Sequence, residues 1–170
     1  MSKVKIVLDA DVIIHFSKGG FLSILAEIFP TYDYVVLDKV YQEIKDPIKS
    51  QLDNLIQFLG KIQVLNYNPK GLELLEYAQL TKFKGKGESA CLAFCRFNPN
   101  VIGSSNLTDI KSYCKQYNIT YLTTLDFLYF AIKRNIISIS NADNFIQEVR
   151  AKDSTLPDIS MRTYISQAIL

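Results

Sequence analysis

The sequence runs to 170 residues and 48% of them are hydrophobic, which is enough for one domain with a substantial core and too apolar for a disordered chain. A formal charge of +2 neither demands nor excludes a nucleic-acid partner. Three cysteines and a single histidine exclude a disulfide framework and leave too few ligands for zinc; no apolar run is long enough to span a bilayer and no secretory leader stands at the N-terminus, so the expectation is a cytoplasmic protein with no membrane contact.

The first element is a β-rich run at residues 4–8, which ends in two acids one residue apart, Asp9 and Asp11. Helical segments are expected from residue 12 to 29, then a strand at 34–37. Asp38 has the chemistry of an N-cap and starts a helix through Val40, Tyr41 and Ile44. Pro47 interrupts, residues 48–59 form an amphipathic helix, 62–65 a short strand and 71–80 a helix. The Gly/Lys loop "KFKGKGE" leads into a helix at 88–97, which carries Cys91 and Cys95 on one face; with Cys114, these thiols are expected to be buried. A strand at 101–103, a helix at 107–117 and a strand at 119–122 follow, then helices at 125–134 and 142–152. The last apolar stretch, 159–169, is expected to be helical. Strands alternating with helices specify a three-layer α/β/α sandwich around a mainly parallel sheet of four or five strands. In such sheets binding sites gather beyond the carboxyl ends of the strands, where Asp9 and Asp11 stand.

Two more acids matter by context. Glu43 follows the second strand among core-facing residues, and Glu88 sits in the first turn of an apolar helix. Taken singly, each acid has an ordinary explanation: Asp9 as an N-cap, Glu43 as a solvated helix residue, Glu88 as a carboxylate favoured by the helix dipole. Taken together in one α/β domain, they form a candidate cluster. Clustered carboxylates repel unless a hard cation holds them, and Mg²⁺ or Mn²⁺ is the natural occupant.

"VLDADVIIHF", "VVLDKVYQEI", "GKGESACLAFC" and "ITYLTTLDFLYFAIKRNIISI" occur in the order and spacing of one family. The chain resembles the PIN domain, the metal-dependent ribonuclease fold of VapC-type toxins. The resemblance implies a PIN-like domain over residues 1–153, with 154–170 as a tail packed on it or on a partner. It places Asp9, Glu43 and Glu88 at acidic metal-ligand positions. Asp11 falls where the family more often has Ser, Thr or Asn. The fourth acid is where the chain departs: "GSSNLTD" puts Asn106 at that position, with Asp109 a helical turn further on as its possible substitute. Thr124 aligns with the family's threonine, and Asp126, where a glycine is common, reads as a helix N-terminal acid. The implied activity is Mg²⁺- or Mn²⁺-dependent hydrolysis of single-stranded RNA, with Lys82, Lys84 and Lys86 holding phosphates, in a toxin with an antitoxin partner and a homodimeric state. The alternative is a degenerate PIN-like domain that binds nucleic acid or protein without cutting. His15 reads as a packed histidine, and Tyr113, Tyr117, Tyr121 and Tyr129 as packing residues with a secondary capacity to stack on bases.

Overall fold

A computed structural model describes residues 3–170. Its strands are β1 (Lys5–Leu8), β2 (Asp33–Leu37), β3 (Ile62–Leu65), β4 (Val101–Gly103) and β5 (Tyr121–Leu122). The helices are α1 (Ala10–Lys18), α2 (Asp38–Glu43), α3 (Ile48–Gln57), α4 (Gly71–Leu80), α5 (Lys86–Phe97), α6 (Leu107–Tyr117), α7 (Thr124–Lys133) and α8 (Ile139–Ala151). All five strands are parallel, in the order β3-β2-β1-β4-β5. The expected α/β/α sandwich is therefore the fold found.

β1 lies at the centre because it can be buried on both faces: Ile6, Val7 and Leu8 have no exposed surface. β3, at one edge, buries only Ile62 fully and leaves Gln63 and Val64 exposed. α5 packs on β1, β2 and β4 and gathers α2, α4 and α6 around it. On the other side α1 gathers α3, α7 and α8. There the Phe16 ring sits 6.0 Å from Phe127 and 5.1 Å from Phe145, both edge-on, which locks α1 to α7 and α8. Cys91, Cys95 and Cys114 are buried free thiols, as their apolar neighbours suggested.

The helical segments expected over residues 12–29 are α1 and a separate 3-10 turn at Leu22–Glu27, divided where Gly19 and Gly20 turn the chain, Gly20 with φ +78°. Two local expectations are corrected. Asp38 is not an N-cap but the first residue of α2, and its Oδ1 accepts from the Tyr67 backbone N–H at 2.9 Å, tying α2 to the segment after β3. The stretch 159–169 is not helical. The Ser160, Tyr164 and Ser166 hydroxyls are committed to Asp143 and Asp126 in the body of the domain, so the backbone follows those anchors instead of coiling.

Candidate active site

The strand order reverses between β1 and β4, so the chains leaving the two strands turn to opposite faces of the sheet, the place where open α/β sheets form their binding crevice. The chain leaving β1 supplies Asp9 and Asp11; the chain leaving β4 supplies Ser104, Ser105 and Asn106. The two exits are stitched together by the Asp9 N–H, which donates to the Gly103 carbonyl at 2.8 Å.

Asp9 is the N-cap of α1, and its Oδ1 accepts from the Ala10 N–H at 2.8 Å. Its other oxygen faces the buried Ser104 hydroxyl at 3.2 Å. Asp11 accepts from the Val12 N–H at 2.6 Å and, across the crevice, from the Ser105 N–H at 2.8 Å. The Ser104 hydroxyl is 3.4 Å from the same Asp11 oxygen, so one proton is shared between two carboxylates. Burial first, then the Asp11 charge, raise Asp9 to about 7. Burial raises Asp11 to about 6, against the pull of the Ser105 and Val12 amides.

Glu88 stands at the third position of α5, where the helix dipole favours a carboxylate. Burial nevertheless raises it to about 7; Lys84 pulls it down while Asp9, Asp109 and Glu43 push it up. Its Oε1 is buried and has no hydrogen-bond partner. A buried acceptor without a donor is costly, and a site for a cation or a proton is one reason to keep it.

Glu43 ends α2, the wrong end of a helix for an acid. It is held instead by α5, whose Gly87 N–H donates to Glu43 Oε1 at 2.8 Å. Helix α5 has no side-chain cap of its own, so Glu43 serves as one from a distant element. The approach requires glycine: a Cβ on residue 87 would lie 2.6 Å from Glu43 Oε2 and 3.1 Å from Val40 Cγ2.

Asp109, at the third position of α6, completes the rim. The Asn106 side-chain amide donates to Asp109 Oδ2 at 2.6 Å. Lys84 donates to the Asp109 backbone carbonyl at 2.8 Å and lies 3.5 Å from Asp109 Oδ1. Of the lysines in the Gly/Lys loop, only Lys84 reaches the crevice; Lys82 and Lys86 are exposed beside it.

A family profile described as a PIN domain matches residues 5–169. This chain belongs to the PIN-domain family. No curated protein and no solved structure matches it. The membership makes the protein a nuclease-type domain, and the crevice at the β1/β4 divergence is the place in this PIN domain where acidic groups collect. Among the described residues, no three His, Cys, Asp or Glu side chains stand close enough to enclose a metal ion. The donor set nonetheless suits a hard divalent cation that keeps much of its water. Mg²⁺ in particular is often held by one or two carboxylates plus substrate phosphate instead of a closed protein cage. No helix among the described residues is long and apolar enough to cross a membrane.

Reading the chain alone put Asp11 beside Asp9 at the strand end without a metal-ligand role, and left Ser104 and Ser105 out of the site. Asp11 was marked only by standing two residues after Asp9; its partner Ser105 lies 94 residues away. The two serines carried no signal beyond following a strand. Asp126 lies elsewhere: it closes a capping box with Thr123 at the start of α7, and its Oδ1 also accepts from the Tyr164 hydroxyl at 2.7 Å and the Ser166 hydroxyl at 2.6 Å. These are tail residues, and Leu156 and Met161 of the same segment are buried on the domain.

Proposed function

We propose that this PIN domain is a Mg²⁺- or Mn²⁺-dependent endoribonuclease acting on single-stranded RNA. The observation that carries the reading is the set of Asp9, Asp11 and Glu88 raised toward neutrality in one crevice, with the unpartnered Glu88 Oε1 among them. Asp9, Glu43 and Glu88 are the acids proposed to hold the metal, one or two directly and the rest through its water, with Asp11 and Asp109 beside them. A divalent ion held there supplies charge neutralisation at the scissile phosphate and a bound water of lowered pKa. A carboxylate beside the ligands, Asp11 or Asp109, would orient the attacking water and take its proton. The carbonyl of the Asn106 side chain offers an uncharged oxygen at the position where other members carry an acid.

The loop before α5 supplies the substrate contacts in this reading. Lys84 lies at the rim, while Lys82 and Lys86 project toward solvent as point charges for flanking phosphates. Phe83, between Lys82 and Lys84, is 86% exposed and offers an aromatic face to an unpaired base. A toxin paired with an antitoxin protein is the proposed biological setting. Helix α4 suits a protein partner, because it buries none of its residues and leaves Leu72, Leu74 and Leu75 exposed.

The test is cleavage of a panel of single-stranded RNAs with millimolar Mn²⁺, comparing the native chain with Asp9→Asn and Glu88→Gln. Chelator-sensitive cleavage lost in both variants supports the proposal. Equal cleavage by all three proteins identifies a contaminant. A second reading, a PIN domain that binds RNA without cutting it, is favoured by the absence of a ready three-acid cage among the described residues. It predicts RNA binding with neither Mn²⁺ uptake in calorimetry nor cleavage.

A further inference from the structure

We infer that His15 is a positioning residue for the acidic crevice, acting on Asp11 through Thr124 and Ser105. The inference rests on the proposed metal-site reading for its consequence, but its geometry stands alone. His15 is one helical turn beyond Asp11 on α1, so the two share a face. Ser105, in the loop after β4, touches both ends of that face. Its N–H donates to Asp11 Oδ2 at 2.8 Å. Its hydroxyl accepts from the Thr124 N–H at 2.7 Å and donates to Thr124 Oγ1 at 2.8 Å. The Thr124 hydroxyl is in turn hydrogen-bonded to His15 Nδ1, at 2.8 Å. Helix α1 thus clamps one loop residue twice, directly through Asp11 and indirectly through His15.

Burial keeps the imidazole neutral, pushing it down to about 4. A neutral imidazole has one N–H and one bare nitrogen, so its Nδ1 can complete the hydroxyl chain from Ser105 through Thr124. The chain's sole histidine is therefore the inner anchor of a hydroxyl relay.

What the relay holds is the Ser105 amide. If that amide drifts, Asp11 loses its cross-crevice donor and the carboxylate leaves its present place beside Asp9. The substitutions that separate a hydrogen-bonding role from mere packing are His15→Asn, which keeps a hydrogen-bonding group near the Nδ1 position, against His15→Leu, which does not. Thr124→Ser against Thr124→Val makes the same contrast, with little change in volume, should His15→Leu fail to fold.

The experiment uses the whole chain. First, hydrogen exchange and chemical shift of the Ser105 amide are measured by NMR in metal-free protein. Second, Mn²⁺ affinity is measured by calorimetry. His15→Leu and Thr124→Val are expected to speed Ser105 exchange and weaken Mn²⁺ binding by about 10-fold, the lower range for groups supporting a metal ligand. His15→Asn and Thr124→Ser are expected to retain native exchange and affinity. A Ser105 amide unchanged in both disruptive variants overturns the inference. So does an Asn or Ser variant that loses as much as its apolar counterpart. If the native chain takes up no Mn²⁺, the metal-site reading fails, while the exchange data still decide whether the relay holds Ser105.

Discussion

Replacing Gly87 by alanine isolates the seat of Glu43 from the stability of the fold. The new Cβ would lie 2.6 Å from Glu43 Oε2 and 3.0 Å from its Cδ, inside ordinary contact distance, so the carboxylate has to withdraw by about 1 Å. It is the free end of a flexible side chain and is exposed, so it can move. The hydrogen bond from the Gly87 N–H is strained or lost. A bond to a charged group contributes about 1.5–3 kcal/mol when well shielded, and at this exposed position about 1 kcal/mol. Alanine in place of glycine within a helix returns up to about 1 kcal/mol. The two nearly cancel, so the melting temperature is expected to shift by no more than about 4 °C. Function does not share in the cancellation: a displacement of about 1 Å at a reacting centre costs on the order of 100-fold in rate. Thermal melts beside Mn²⁺-dependent RNA cleavage and Mn²⁺ calorimetry make the comparison. Gly85→Ala serves as the control, because nothing lies within 4 Å of a Cβ there. A Gly87→Ala protein that gains a full kcal/mol and keeps native cleavage would refute the claim that residue 87 seats Glu43.

Three other outcomes follow from the same geometry. His15 has its folded pKa lowered to about 4 from 6.5, so the unfolded chain takes up its proton first as pH falls. Its contribution is complete above pH 6.5 and is lost between there and about pH 4, at most about 3 kcal/mol. Asp9, Asp11 and Glu88 are raised and work in the opposite sense, so denaturant titrations at several pH values should compare the native chain with His15→Asn, where only the histidine's share disappears. Asn106→Asp exchanges a 2.6 Å hydrogen bond to Asp109 for two facing carboxylates, and should lower metal-free stability while raising Mn²⁺ affinity; calorimetry showing no gain in affinity would mean that position 106 is not a missing ligand. Tyr164→Phe removes one donor from buried Asp126 and should cost about 1 kcal/mol, with faster hydrogen exchange across residues 160–168 as the local readout.

How much of this was legible in the chain depended on whether the forces were local. β1 and Asp9 could be read together, because an apolar run fixes the strand and the cap follows at once. Glu88 could be read from an apolar helix with an acid in its first turn. Thr123 and Asp126 also form a local pattern, a capping box spaced three apart. What holds Asp11 could not be read, since its donor comes from a loop after another strand. Nor could Glu43's dependence on Gly87, which arises only when α2 and α5 meet. Of the lysines in the Gly/Lys loop, composition could not single out Lys84; its anchor is the Asp109 carbonyl on α6. The tail misled for a related reason. Its apolar residues suggested a helix, but Tyr164 and Ser166 find a buried carboxylate, and two strong tethers outweigh the intrinsic preference of a short segment.

Those tethers have a consequence for solubility. β5 is the outer strand of the sheet on its side, only two residues long, with one edge unmatched by any other strand. The tail is moored to Asp126, just beyond that strand, and a groove there is lined jointly by Ile119, Thr120 and Tyr121 and by Ile165, Ala168 and Ile169. The last segment thus flanks the open margin of the sheet across this groove and narrows the approach of another molecule's strand. A version of the chain ending at residue 153 would lose stability and also expose a template for edge-to-edge association. Its first symptom in the laboratory should be precipitation on concentration, at temperatures where the remaining sheet is still folded.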